Sequence, residues 1–333
     1  MQKTKFLIIR FSSIGDIVLT TPVIRGIKQQ VENAEVHYLT KKSFSSVLQA
    51  NPYIDKVHLF DKNYDELIET LKNEYFDYII DLHHNLRTYR IKKSLGILAF
   101  SFDKLNYKKW LLVNLKINKL PNIHIVDRYL DTVKLFDVVN DNNGLDYFIP
   151  SEDEVNISNY LPEITNDYIV LVVGAKHFTK QIPINLAVEI CNKIDKNIVI
   201  LGGKEDSEKA EKIQQLTNKR VFNLCGKLNI NQSASVVKQS RLVITSDTGL
   251  MHIAVAFKKQ IISIWGNTVP EFGMYPYESK ELYEIVEVKN LKCRPCSKIG
   301  FSKCPKKHFK CMNNIDVEVI ISYAKQKISS HVL

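Results

Sequence analysis

The chain has 333 residues, 45% hydrophobic and 25% charged, enough for two domains of ordinary size, each with its own core. Twelve glycines, ten prolines and six cysteines exclude collagenous, disordered and disulfide-scaffold classes. Forty-six Lys and Arg against 36 Asp and Glu leave a net charge of +10, which favours an anionic partner without choosing between nucleic acid, a phospholipid surface and a phosphorylated substrate.

In chain order, residues 6–9 form a branched apolar run that predicts a strand. The turn Ser12-Ser13-Ile14-Gly15-Asp16 follows, and then a helical pattern over 17–31. Residues 35–39, 56–60 and 76–82 read as further strands, with helical patterns between them and over 126–136. A polar stretch over 140–167 predicts a linker. Beyond it, strands at 168–173, 197–201, 220–223, 241–245 and 260–265 alternate with helices at 184–194, 207–216, 230–238 and 249–257. A last helix covers 317–327. Alternation of this kind predicts α/β architecture, two doubly wound, Rossmann-like domains with parallel sheets facing one cleft. The expected boundaries are 1–150, 165–312, and a terminal segment 313–333 that packs back toward the first domain. The short apolar run near the N-terminus is not a signal peptide, and no stretch is long enough to span a membrane. The expectation is a cytoplasmic protein with mostly reduced cysteines.

Ser246-Asp247-Thr248-Gly249-Leu250-Met251-His252 follows an apolar strand and opens an apolar helix. Asp247 is placed to cap that helix, and Gly249 lets a ligand approach backbone amides whose dipole suits phosphate. Thr248 and His252 are four apart and can meet one ligand. A capped helix without a ligand is the plain alternative. The matching turn of the first half carries Asp16, which would repel a phosphate but serves as a general base toward a hydroxyl, or simply as a helix cap. Lys180, before the helix-starting Pro183, can reach a diphosphate as a point charge, although most lysines are only solvated. Gly202-Gly203 permits close approach, and Glu205 can accept from ribose or sugar hydroxyls. The chain lacks an Asp-x-Asp pair, a G-x-G-x-x-G fingerprint and a Walker lysine loop, so a metal-free diphosphate site is favoured over dehydrogenase or P-loop chemistry.

Arg10-Phe11-Ser12-Ser13-Ile14-Gly15-Asp16, Phe76-Asp77-Tyr78-Ile79-Ile80-Asp81-Leu82, Gly174-Ala175 with Lys180 and Pro183, Asn223-Leu224-Cys225-Gly226-Lys227, the Ser246 to His252 motif, and Phe272-Gly273-Met274-Tyr275-Pro276-Tyr277 occur in this order. Together they resemble glycosyltransferase family 9, the heptosyltransferases of lipopolysaccharide core synthesis, over nearly the whole chain. The resemblance implies a GT-B fold and inverting transfer of heptose from ADP-heptose to a lipid A-Kdo type core acceptor. It implies Asp16 and Lys180 as catalytic. It implies Gly174, Ala175, Gly203, Glu205, Asp247, Thr248, Gly249, Leu250 and His252 as donor-binding, and Ser12, Ser13, Gly15, Asn85 and Arg87 as acceptor-binding. No cofactor is required. One departure is Gln181-Ile182 before Pro183, where the family usually places an aromatic residue. Readings kept beside this one are a GT-B enzyme using another nucleotide sugar, an epimerase of that fold, and a non-catalytic module for anionic lipid or nucleic acid.

Two segments add charge. Residues 82–119 hold nine basic side chains and one acidic, a net of +8 interleaved with aromatics; beside the family's acceptor region this implies a phosphorylated glycolipid at the inner leaflet and peripheral membrane association, with no nucleic acid expected. Residues 289–310 hold eight basic and no acidic side chains around Cys293, Cys296, Cys304 and Cys311, the inventory of a structural zinc site or of thiol pairing.

Overall fold

The computed structural model describes residues 3–61, 63–162, 167–217 and 220–329. The chain runs β1 (Thr4–Ile9), α1 (Ile14–Val18), α2 (Thr21–Gln30), β2 (Ala34–Lys41), β3 (Lys56–Phe60), α3 (Tyr64–Lys72), β4 (Tyr78–Asp81), α4 (Leu86–Leu95), β5 (Ala99–Ser101), α5 (Asn106–Leu115) and α6 (Ile125–Leu130). It continues through β6 (Tyr168–Val172), α7 (Ile184–Lys193), β7 (Asn197–Leu201), α8 (Ser207–Gln215), β8 (Val221–Asn223), α9 (Ile230–Gln239), β9 (Leu242–Ser246), α10 (Gly249–Ala256), β10 (Gln260–Trp265), β11 (Tyr283–Glu287), α11 (Lys310–Asn313) and α12 (Val317–Ser329).

Two compact units result. Met1–Lys104 with Ile123–Pro150 form the first, Leu105–Asn122 with Ser151–Leu333 the second. The first holds a five-stranded parallel sheet in the order β3-β2-β1-β4-β5, the second a six-stranded parallel sheet in the order β11-β10-β9-β6-β7-β8. Strands buried on both faces explain the continuous apolar runs: Phe6 to Ile9 and Ile169 to Leu171 are all 0% exposed. In each sheet the strand order reverses beside the first strand of the unit, between β1 and β4 and between β6 and β9. Those switch points are where open α/β sheets receive ligands.

The helix expected over 17–31 is two helices. Pro22 has no N–H to give Val18, and the Thr21 hydroxyl takes that carbonyl instead at 2.8 Å, so the chain turns at Leu19 and Thr20 and restarts as α2. Two segments also group differently from the sequence division. Residues 105–122 pack with the second unit, where Leu112 and Val113 lie against Val269 and Phe272. The terminal α12 buries Val317, Ile320, Ile321 and Ala324 in the second unit's core and contacts α7 and β10. The expected start at 165 and residues 330–333 lie outside the described residues. The second part of the expected linker is not loose: Asp153 accepts from Asn229 and Asn231 at 2.7 and 2.9 Å, and the Ser235 hydroxyl accepts from the Val155 amide at 2.9 Å, which docks it on α9.

Arg25 locks the first unit. Its guanidinium, 4% exposed, donates to both oxygens of Asp141 at 2.7 and 2.8 Å and pairs with Asp146. The hydrogen bonds from Arg25 hold the Asp141 carboxyl down at about 2, although burial opposes the shift. Arg25→Met strands two partly buried carboxylates and is expected to cost about 3 kcal/mol in urea unfolding at neutral pH. Because the folded-state pKa of Asp141 is depressed, its contribution is complete above the unfolded value near 4 and is lost as pH falls toward 2. The margin between wild type and variant should therefore shrink over that interval; a margin that is constant down to pH 2 contradicts the assignment.

Candidate active site

Each unit carries one polar cluster at its switch point. In the first, β1 ends in Arg10, 8% exposed, whose guanidinium donates from Nη1 to the Leu82 carbonyl after β4 at 2.6 Å, from Nε to the Ser12 carbonyl at 2.9 Å, and pairs through Nη2 with Asp16 Oδ1 at 2.5 Å. Arg10 thus spans the gap between β1 and β4. The other oxygen of Asp16 accepts from the Ser13 amide at 3.0 Å and the Ser13 hydroxyl at 2.7 Å, so Asp16 is the third-position member of a capping box whose cap is Ser13. The carboxylate is thus fixed through both of its oxygens. Gly15 is buried in this turn, while Ser12 is half-buried and Ser13 exposed.

At the end of β4, buried Asp81 accepts from the His83 and His84 amides at 3.1 and 2.7 Å and pairs with Lys92 at 2.8 Å. Asn85 caps α4 by accepting from the Arg87 and Thr88 amides, and the Arg87 side chain is exposed. The His83 ring lies 5.0 Å from that of Phe11. Burial first, and Arg10 second, push its pKa down to about 4, which makes it a neutral imidazole at pH 7.

In the second unit Lys180 and Asp247 close the β6 to β9 gap. Lys180 Nζ lies 2.5 Å from Asp247 Oδ2, and the Thr268 hydroxyl donates to the same oxygen at 3.2 Å. Asp247 therefore does not cap α10 as the sequence suggests. The cap is Thr248, which makes no side-chain cap hydrogen bond because its hydroxyl shares a 3.0 Å contact with that of Thr245. Thr248, Gly249 and Leu250 at the start of α10 are half-buried, and His252, one turn on, is 2% exposed.

Gly174 follows β6 and is buried; a Cβ there would come within 2.0 Å of the Asp206 carboxylate, which explains the glycine. Ala175 is half-buried and its carbonyl accepts from the Gln181 side chain at 3.0 Å. Of the adjacent acids, Asp206 is buried and accepts from the Gly203 amide at 2.9 Å, whereas Glu205 is exposed with Gly203. Only Glu205 is therefore presented to solvent. It lines a cavity of about 510 Å³ together with Phe178, Gln181, Pro183 and Lys209. Burial pushes the Lys209 amine down to about 8 while its Nζ donates to the Val173 carbonyl at 3.0 Å.

The cysteine segment is placed by Arg294, which donates to the Gly266 and Thr268 carbonyls at 2.6 and 2.8 Å and pairs with Glu287 at 2.5 Å; the Cys296 amide reaches the Asn267 carbonyl at 3.2 Å. The segment thus adjoins the loop that supplies Thr268. All six cysteines are free thiols, and Cys293 Sγ lies 3.8 Å from His308 Nε2. Among the described residues, the group of three or more metal-ligating side chains that converges is His37, His58 and Glu74, and the four cysteines do not form such a group. Sequence reading left Arg10, His83 and Thr268 out of the site. Arg10 opens the first motif, but no local pattern pairs it with the Leu82 carbonyl, and the partners of the other two are likewise distant in the chain.

Two Rossmann-like units, each with its charged cluster at the switch point, have the architecture of the GT-B fold. Residues 65–306 match the model of glycosyltransferase family 9 (heptosyltransferase), and the chain belongs to that family. It is similar to lipopolysaccharide heptosyltransferase 1 of Campylobacter coli, 26% identical over 289 residues that cover 79% of this chain and 84% of the relative. Among solved structures it is similar to a family 9 glycosyl transferase from Veillonella parvula, with a TM-score of 0.80, 19% identity and 98% of each chain covered. It is similar also to the E. coli ADP-heptose LPS heptosyltransferase II, with a TM-score of 0.77, 15% identity and 99% and 100% of the two chains covered. At these identities the structures speak for the fold.

Proposed function

We propose that this enzyme is an inverting heptosyltransferase that moves heptose from ADP-heptose to a lipopolysaccharide core acceptor. The observation that carries the reading is the pairing of Lys180 with Asp247 across a switch point, beside the N-terminus of α10, whose cap makes no side-chain hydrogen bond: a cation and a helix dipole where a diphosphate docks without a metal. The nucleotide and sugar follow from the relatives, which are lipopolysaccharide and ADP-heptose heptosyltransferases by name.

In this reading the acceptor hydroxyl oxygen attacks the anomeric carbon as the bond to the diphosphate breaks. Asp16 takes the hydroxyl proton, and ADP leaves with the electron pair. Lys180 and the Thr248 and Gly249 amides stabilise the departing charge. Asp247 and Thr268 aim Lys180; Arg10 and Ser13 aim Asp16. Glu205 accepts from ribose or sugar hydroxyls at the cavity rim, with Gly174, Ala175, Gly203, Leu250 and His252 completing the donor site. Ser12, Ser13, Gly15, Asn85 and Arg87 line the acceptor side. No step needs a metal. The segment of Cys293, Cys296, Cys304 and Cys311 braces the Thr268 loop through Arg294 rather than entering the chemistry.

Among the described residues no helix is long and apolar enough to cross a membrane. Arg87 and Arg90 beside exposed Leu86 and Tyr89 in α4, and Lys108 and Lys109 beside exposed Tyr107 and Trp110 in α5, suit peripheral contact with anionic headgroups at the cytoplasmic face. Calorimetric titration of ADP, UDP, GDP and CMP in the presence of a chelator tests the donor. ADP should bind selectively without metal; preference for another nucleotide, or binding only with magnesium, overturns the assignment.

A further inference from the structure

We infer that His37, His58 and Glu74 form a divalent-cation site of the kind that zinc occupies, remote in sequence from the catalytic turns and built into the first unit's sheet. The three come from different elements: His37 from the middle of β2, His58 from the middle of β3, and Glu74 from the turn between α3 and β4. One ligand atom of each lies within 4.8 Å of the others, and both imidazoles are buried, at 2% and 4% exposure.

The distances are near those of ligands around a shared ion, with one imidazole–imidazole hydrogen bond that the ion would replace. His37 Nδ1 and His58 Nε2 are 2.9 Å apart, and the two Glu74 oxygens stand 3.9 and 4.0 Å from them. These last separations exceed a hydrogen bond. They bracket, with the first, the edge of about 3.3 Å expected between ligands on a tetrahedral ion with bonds near 2 Å.

A second observation points the same way. His37 Nε2 lies 2.9 Å from Glu35 Oε1, and Glu35 is itself held by Lys3 at 3.0 Å. A carboxylate on the far nitrogen fixes the tautomer that leaves the Nδ1 lone pair aimed inward, the arrangement that orients metal-bound histidines. The Phe76 ring stands perpendicular to both imidazoles, at centroid distances of 5.0 and 5.9 Å, and walls the site with apolar surface.

Lys56 now pairs with Glu74, but its side chain is 53% exposed and can turn to water at small cost, leaving the carboxylate to an ion. The consequence is mechanical. β3 is the edge strand of its sheet, joined only to β2, and an ion here ties it to β2 and to the turn that enters β4.

The test uses full-length protein, chelator-stripped and reduced, titrated with Co2+ as a spectroscopic stand-in for zinc. The cysteine segment is a competing site with its own signature, sulfur-to-cobalt charge transfer, which nitrogen and oxygen ligands do not give. A Co2+ bound with ligand-field bands and no sulfur charge transfer, displaced by Zn2+, is the expected result. That signal should persist in Cys296→Ser/Cys304→Ser and be weakened at least tenfold in affinity in both His58→Gln and Glu74→Gln. Zn2+ should raise the melting temperature of wild type and not of Glu74→Gln, whose partly exposed carboxylate can be lost without opening the core. No ligand-field signal, a signal that always carries the thiolate band, or equal affinity in the Glu74→Gln protein overturns it. None of these readouts depends on transferase activity.

Discussion

Asp16→Asn should lower kcat by about 10²- to 10⁴-fold while the Kd for ADP stays within about twofold of wild type. The substitution keeps the side chain's volume and an oxygen that accepts from Ser13, so the capping box at the start of α1 survives. What it removes is the acceptor of the hydroxyl proton, together with the negative partner of Arg10. The buried guanidinium retains the Leu82 and Ser12 carbonyls, so the folded state should persist at modest cost. Alanine would be a poorer test because it removes cap and ion pair at once. Steady-state transfer rates with parallel calorimetry separate the terms, and unaltered turnover in a folded Asp16→Asn protein contradicts the base assignment.

Lys180→Ala should act on the other substrate. With the ammonium gone, the diphosphate loses a charge-assisted partner, a loss of about 1.5–3 kcal/mol, or roughly ten- to a hundredfold in ADP affinity. Because charge on the leaving group grows in the transition state, kcat should fall as well. Asp247, freed of its 2.5 Å partner, then faces the phosphate as an uncompensated negative charge, which adds to the loss. Lys180→Ala/Asp247→Asn should therefore recover part of the ADP affinity without recovering the rate. A defect confined to the acceptor's KM contradicts the placement of Lys180 at the donor.

Much of the architecture is legible in the chain because parallel strands buried on both faces are short, branched and apolar. The runs over 197–201 and 260–265 coincide with β7 and β10. What escapes sequence reading has little apolar surface of its own. β5 has three residues, β11 sets Glu284 and Glu287 on either side of Ile285 and Val286, and α5 leaves Tyr107 and Trp110 exposed, so none shows a clean period. The same limit governs the site. Strand-turn-glycine motifs mark Asp16 and Asp247 locally, but Lys180 meets Asp247 across 67 residues and Arg10 meets the Leu82 carbonyl across 72. Pairings at that separation are set by strand order, which no local pattern reports. Asp247 shows the cost: local logic makes it a helix cap, while tertiary placement hands it Lys180 and Thr268 and leaves the cap to Thr248.

The central claim is inverting heptosyl transfer from ADP-heptose, and it is tested most directly by supplying ADP-heptose and a heptose-free lipid A-Kdo acceptor to the purified enzyme in the presence of chelator and assigning the product's anomeric configuration by NMR. The account predicts ADP release matched by glycolipid product, with configuration at the transferred carbon opposite to that of the donor. Retained configuration, hydrolysis of ADP-heptose without glycolipid product, or a requirement for added divalent metal would contradict it.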